Sequence, residues 1–282
     1  MHTSKELYKE LAIPYFKEVF QVIDEVLRDH NVPYYLIGAS AMALEMLKLK
    51  AKPSRGTRDI DFAVMVSSVE EYDSIVGSLL MNGFNETGDQ WRIIHQTYNT
   101  VIDLLPFGTI EEKYTEDFDE REIELHVLGM NEVLEDSIKV EIDEYIAKIP
   151  PLHGMLILKF ISWSDRPEHR YNDPYDILQI IEKYFDMYSD EIYEQHNDLF
   201  DQDEFDQLKI SSRVLGRKAA SILMKSEKLK ERILNVLEDN IQTPAESVIA
   251  IRWAKDHNWE VEYAIKLLEE LKLGIIETID KK

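Results

Sequence analysis

The chain contains no cysteine. That excludes disulfide bridges, a thiolate nucleophile and any zinc site built on sulfur. Positive charge is scarce: 32 Lys and Arg stand against 55 Asp and Glu, for a formal net charge of -23. A surface of that sign repels a phosphate backbone at long range. Non-specific DNA binding is thereby disfavoured and a nucleic-acid substrate would need a local basic patch, whereas a cationic partner is attracted without one. No apolar run is long enough to span a bilayer, and the opening "MHTSKELYKELAIPYF" lacks the apolar core of a signal peptide. A cytoplasmic protein with no membrane partner is expected. Fixed-period repeats and low-complexity tracts are also missing.

What remains is a globular composition. The 282 residues, 44% of them hydrophobic, suffice for one large domain or two ordinary ones. Leu7, Leu11, Phe16, Val19 and Ile23 form an apolar stripe that predicts a helix over residues 4–28. "YYLIG" (34–38) reads as a short buried strand, and residues 39–50 as a helix of strong formers. "DIDFAVMV" (59–66) is a second strand. Ser68 is placed to cap a helix over 69–81, with Asn82-Gly83 as its stop. "WRIIHQTY" and "TVIDLLPF" are strands joined by a hairpin at Asn99, and "REIELHVL" (121–128) is another strand. From about Pro150 the pattern turns helical, beginning with "PLHGMLILKFISWS" and "PYDILQIIEKYF". The expected fold is α+β: a mixed β-sheet flanked by helices over 1–149, then a helical domain over 150–282.

Asp59 and Asp61 stand out on the second strand. Alternation puts both carboxylates on one face, with Ile60 turned to the core. Like charges so close repel, and a divalent cation is the natural compensation. In so acidic a chain such pairs also arise as solvated turns, as at Asp117/Asp119 and Asp201/Asp203. A third acid strengthens the metal reading, though it also reads as a strand-end aspartate bonded to a backbone amide. Asp103 lies inside the apolar strand "TVIDLLPF", where an unpaired charge is costly. If its strand neighbours that of Asp59, the three acids could share two metal ions. Gly38, Ala39 and Ser40 sit at a strand-to-helix junction, where main-chain amides favour an anion. Lys48, Lys50, Lys52, Arg55 and Arg58 form a local basic stretch without an acid, suited to an anionic acceptor or to a solvated helix end. Lys209, Arg213, Arg217 and Lys218 form a second basic run.

Taken together, "YYLIGASAMALEM…PSRGTRDIDFAV…VIDLLPFG" resembles the nucleotidyltransferase fold superfamily. The form made by Arg55, Thr57, Asp59 and Asp61 looks most like the AbiEii-type nucleotidyltransferases, which include type IV toxins of toxin–antitoxin systems. "LKFISWSDRPEHRYNDPYDI" looks like that family's later motif, and the likeness spans roughly residues 30 to 180. The chain departs from the usual pattern at Ala39, where glycine or serine is common, and at Asn172-Asp173, where Lys-Asp is common.

The resemblance implies NMP transfer from an NTP to a hydroxyl acceptor. The phosphates would lie over Gly38, Ala39 and Ser40, with Mg²⁺ held by Asp59 and Asp61. Asp103 would complete a second metal site or act as general base. Lys159 would meet the triphosphate, Arg55, Thr57 and Arg58 would line the nucleotide site, and Asp173 and Asp176 would fill later acidic positions. Asp173 also reads as a plain N-cap ahead of Pro174. The implied acceptor is a tRNA or a protein, with an antitoxin protein as partner. Antibiotic-modifying enzymes share the superfamily signature, so a small-molecule acceptor is the alternative. A non-catalytic nucleotide-binding module is the third reading.

Overall fold

The computed structural model describes residues 4–53, 55–89, 91–109, 128–200 and 205–281. The chain divides into two compact units, Met1–Pro151 and Leu152–Lys282.

The first unit is built on a five-stranded mixed sheet of β1 (Tyr34–Ile37), β2 (Asp59–Met65), β3 (Phe84–Glu86), β4 (Arg92–His95) and β5 (Val101–Phe107). Its order is β1-β2-β5-β4-β3. Among the described strands of this sheet, only β2 and β5 run parallel. That pairing demands a long crossover, and the helix α3 (Val69–Met81) followed by β3 and β4 provides it. Ser68 caps α3 by accepting from the Glu71 amide, and Gly83, at φ 93°, turns the chain out of the helix. Tyr72 on α3 donates its hydroxyl to the Leu104 carbonyl at 2.9 Å, tying the helix to β5. Helix α1 (Phe16–Asp29) buries Phe20, whose ring lies 5.9 Å from Phe62 on β2. Asn99, at φ 52°, closes the β4–β5 hairpin where the pattern placed it.

Three features differ from expectation. The amphipathic stretch over 4–28 is two elements, a 3-10 turn over Ser4–Glu10 and then α1. Pro14 disfavours a helical Ile13, and Tyr15 takes φ 57°, so one helix cannot run through. The second helix, α2 (Gly38–Lys48), begins one residue early and ends before Lys50, whose φ of 63° terminates it. A second, two-stranded sheet of β6 (Ile138–Ile142) and β7 (Tyr145–Ile149) follows the short helix α4 (Met130–Glu135). It was legible as alternation, since Val140, Ile142, Ala147 and Ile149 are buried and their neighbours Lys139, Glu141, Ile146 and Lys148 are exposed. The strand expected over 121–128 lies, but for Leu128, outside the described residues, as do Asp117, Asp119, Asp201 and Asp203.

The second unit is helical: α5 (Leu152–Asp165), α6 (Asp173–Met187), α7 (Ser189–Gln195), α8 (Gln207–Leu223), α9 (Glu227–Gln242), α10 (Val248–His257) and α11 (Val261–Ile279). Helices α8 and α11 approach backbone to backbone. A Cβ on Gly216 would lie 3.0 Å from the Leu271 carbonyl carbon and closer to its oxygen, and one on Gly274 would meet the Arg213 carbonyl in the same way. The two glycines permit the crossing. Trp163 is a buried core residue, and so is Trp253, which donates its indole N–H to the Pro174 carbonyl at 2.7 Å. The architecture is α+β, a mixed sheet with flanking helices followed by a helical unit.

Candidate metal centre

Strand register assembles the site. Ile37 on β1 faces Asp61 on β2, Asp61 faces Asp103 on β5, and Asp103 faces Arg92 on β4. Residues opposite one another in adjacent strands present their side chains to the same face. Asp61, Asp103 and Arg92 therefore form one rung across the sheet, and Asp59 joins them from two residues back along β2. Carboxylate oxygens of Asp59, Asp61 and Asp103 all lie within 4.8 Å of one another, and each of these residues is half-buried. Oxygen donors at such spacing suit a hard divalent cation such as Mg²⁺ or Mn²⁺.

Thr57 and Arg92 hold two of the acids, Asp59 and Asp103, in place. The Thr57 hydroxyl donates to Asp59 Oδ1. Arg92 grips Asp103 with both arms of its guanidinium, Nε donating to Oδ1 at 2.7 Å and an Nη to Oδ2 at 2.8 Å. The other Nη reaches Asp89 at 3.3 Å. The Asp103 hydrogen bonds hold the Arg92 proton more firmly than in a free arginine, with Asp89 and Asp59 adding their charge. Arg92 was not expected at the site. The sequence shows it only as a polar residue at the edge of "RIIH", and its role appears once β4 and β5 are in register.

Gly38 is required by contact as well as by conformation. It takes φ 68°, and a Cβ there would lie 2.8 Å from the Asp61 Cγ and closer still to Oδ2. The glycine of the strand-to-helix junction thus makes room for the middle carboxylate. It also opens α2, whose N-terminus has no side-chain cap. Ser40 is fully buried, and its hydroxyl donates to the Ile37 carbonyl at 3.4 Å. In the loop ahead of β2, Arg58 is exposed and Arg55 is half-buried. Lys48 donates to the Lys139 carbonyl at 3.4 Å, while Lys50 and Lys52 are exposed.

Lys159, Asp173 and Asp176 lie on helices of the second unit and pair with one another. Lys159 on α5, half-buried, lies between Asp173 at 2.9 Å and Asp176 at 2.7 Å, both on the first turn of α6. Burial opposes the Lys159 charge, yet the two carboxylates more than offset it and hold its pKa above that of an ordinary lysine. Asp173 is not a helix cap. The cap position is Asn172, and the Asp173 carboxylate accepts from Lys159 instead. The second basic run is also committed internally. Arg213 pairs with Glu270 and Glu277, Arg217 with Glu277 and Asp198, Lys218 with Glu191, and Lys209 with Asp206. A surface of such pairs has little positive potential left for a nucleic acid.

No protein-family profile matches the chain, and no curated protein matches it. Among solved structures it is similar to the crystal structure of an antigenic nucleotidyltransferase-like protein from Paracoccidioides brasiliensis. The likeness covers 77% of this chain and 90% of that one, at 16% identity and a TM-score of 0.39.

Proposed function

We propose that the chain is a divalent-cation-dependent nucleotidyltransferase that moves an NMP group from an NTP to a hydroxyl acceptor. The observation that carries this reading is the rung itself: Asp59, Asp61 and Asp103 converge to within 4.8 Å on one sheet face. A cation held by these carboxylates would neutralise the triphosphate and the charge that develops in transfer. The chain's own residues do the positioning. Thr57 fixes Asp59, Gly38 admits Asp61, and the amides of Gly38, Ala39 and Ser40 at the start of α2 favour a phosphate. Arg58 is exposed in the adjoining loop, where a guanidinium orients phosphate oxygens. In the reaction the acceptor oxygen bonds to the α-phosphorus. The bond from that phosphorus to the bridging oxygen breaks, pyrophosphate leaves, and the hydroxyl proton passes to a carboxylate or to water.

The resemblance of the sequence motifs favours a toxin-like enzyme acting on tRNA or protein, controlled by an antitoxin. A small cationic acceptor is the second reading, favoured by the net charge of -23 and by the internal pairing of Lys209, Arg213, Arg217 and Lys218. The test supplies each of four α-labelled NTPs with Mg²⁺ to a bacterial extract resolved into RNA, protein and small-molecule fractions. Label transferred by the wild type and not by the Asp59→Ala/Asp61→Ala variant is expected, and the labelled fraction identifies the acceptor. Equal labelling by both would overturn the reading.

A further inference from the structure

Resting on the transferase reading above, we propose that the acceptor is an RNA strand whose phosphate backbone docks on a lysine surface built by the β6–β7 hairpin and the end of α2. Five lysines meet there, and sequence spacing shows only three of them. Lys48 closes α2, and Lys50 and Lys52 follow it, both exposed. The Lys48 ammonium donates to the Lys139 carbonyl at 3.4 Å, which brings β6 to the same place. Lys139 stands directly opposite Lys148 on β7, and both are exposed. Like charges directly opposite one another across two strands cost stability. Among the described residues, only Lys48 of the five forms an ion pair, with Glu45 at 3.8 Å. The other acids nearby are turned to their own partners or neighbours. Glu141 accepts from the Ser4 hydroxyl at 2.8 Å, Asp143 and Glu144 at the hairpin turn pair with Lys17, and Glu135 on α4 acts on Tyr35.

The lysine surface adjoins the metal centre along one face of the sheet. The Lys148 ammonium lies over the Tyr35 ring, 5.6 Å from its centroid. Tyr35 is the register partner of Ala63, and Ile37 that of Asp61. Tyr35 therefore projects on the face that carries Asp61, one side-chain step of about 7 Å along β1. A chain docked on the lysines can carry its terminal hydroxyl to the rung. The net charge of -23 does not oppose this at close range. Charges on more distant surfaces are screened beyond about 8 Å at physiological salt, so the local lysines set the sign. Transfer of an NMP group to an RNA hydroxyl forms a phosphodiester bond. Continuity with a centre of that chemistry selects a phosphate backbone over an acidic polypeptide.

The test is the fluorescence anisotropy of a labelled single-stranded RNA of mixed sequence, titrated with the full chain without NTP or divalent cation. Wild type should bind, with log affinity falling as log salt rises. Lys139→Gln/Lys148→Gln should weaken binding about tenfold at low salt. It should also flatten that slope by about 1.4, two phosphate contacts at about 0.7 each. Lys255→Gln/Lys266→Gln makes the same charge change at exposed lysines of the helical unit and should alter the affinity by less than about twofold. Circular dichroism and a thermal melt establish that each variant is folded. Labelled polyglutamate should bind more weakly than the RNA. No RNA binding, equal losses in the two double variants, or polyglutamate bound as tightly as RNA overturns the proposal. Label from the NTPs appearing only in the protein or small-molecule fraction of the extract overturns it too, while leaving the transferase standing. Lysine-dependent RNA binding by a chain that labels no fraction overturns the transferase reading, and the acceptor role with it.

Discussion

The two units treat their acids in opposite ways. In the first, the carboxylates of Asp59, Asp61 and Asp103 converge on one another, held by a threonine and an arginine from the flanks. In the second, carboxylates converge on a cation of the chain: Asp173 and Asp176 on Lys159, Glu277 and Asp198 on Arg217. A cluster that surrounds a counter-charge of the chain is compensated within the fold. Convergence of like charges around a common point costs stability unless something compensates; Arg92 does so at Asp103, and a divalent cation would add to it. Abundance of acid is therefore no guide in this chain. What distinguishes the candidate centre is the direction in which its acids point.

Breaking the first cluster should have the largest effect, and on activity. Gly38→Ala places a Cβ against the Asp61 carboxylate at a φ of 68°. Displacement of that carboxylate by about 1 Å should lower nucleotidyl transfer about a hundredfold, measured as label incorporated per unit time, with the protein still folded. Near-normal activity in this variant would mean that the Gly38–Asp61 contact is incidental.

Breaking the second cluster should affect stability instead. Lys159→Met strands two buried carboxylates, and a loss of about 3–5 kcal/mol in urea unfolding is expected. The same variant sharpens the comparison. If it keeps its stability and loses transfer, Lys159 acts on the triphosphate, as the sequence resemblance implies.

A smaller effect is expected at Asp165 on α5. Burial pushes its carboxyl from 3.8 up to about 6, against the pull of Arg232, which donates to it at 2.9 Å. The native state then holds this proton more tightly than the unfolded chain does between those two values. Stability from this group is full below pH 4 and is lost as pH rises through 6. Asp165→Asn should flatten the fall in unfolding free energy over that window by about 1–3 kcal/mol. An unaltered slope would show that Asp165 titrates as an ordinary surface acid.

The sequence was most legible where the physics is local. The Ser68 cap, the Asn99 turn and the alternation around Asp59 and Asp61 depend only on near neighbours, and all three appear in place. The juxtaposition of Asp103 with Asp61 required a guess at strand order, which the parallel β2–β5 pairing fulfils. Arg92 was invisible because its partner is set by the β4–β5 register rather than by spacing. Lys159 lies between two acids supplied by the next helix, a pairing that spacing alone does not show. The pairing of Gly216 with Gly274 escaped notice for the same reason, since each is unremarkable alone and meaningful only across the α8–α11 crossing.

The most direct test of the central claim is a crystal grown with Mn²⁺ and a non-hydrolysable NTP analogue, with data collected at the manganese edge. An anomalous peak coordinated by Asp59 and Asp61, with Asp103 at or next to its shell, is the expected result. A peak at the acids of the helical unit, or ordered analogue with no manganese on the rung, would contradict the account.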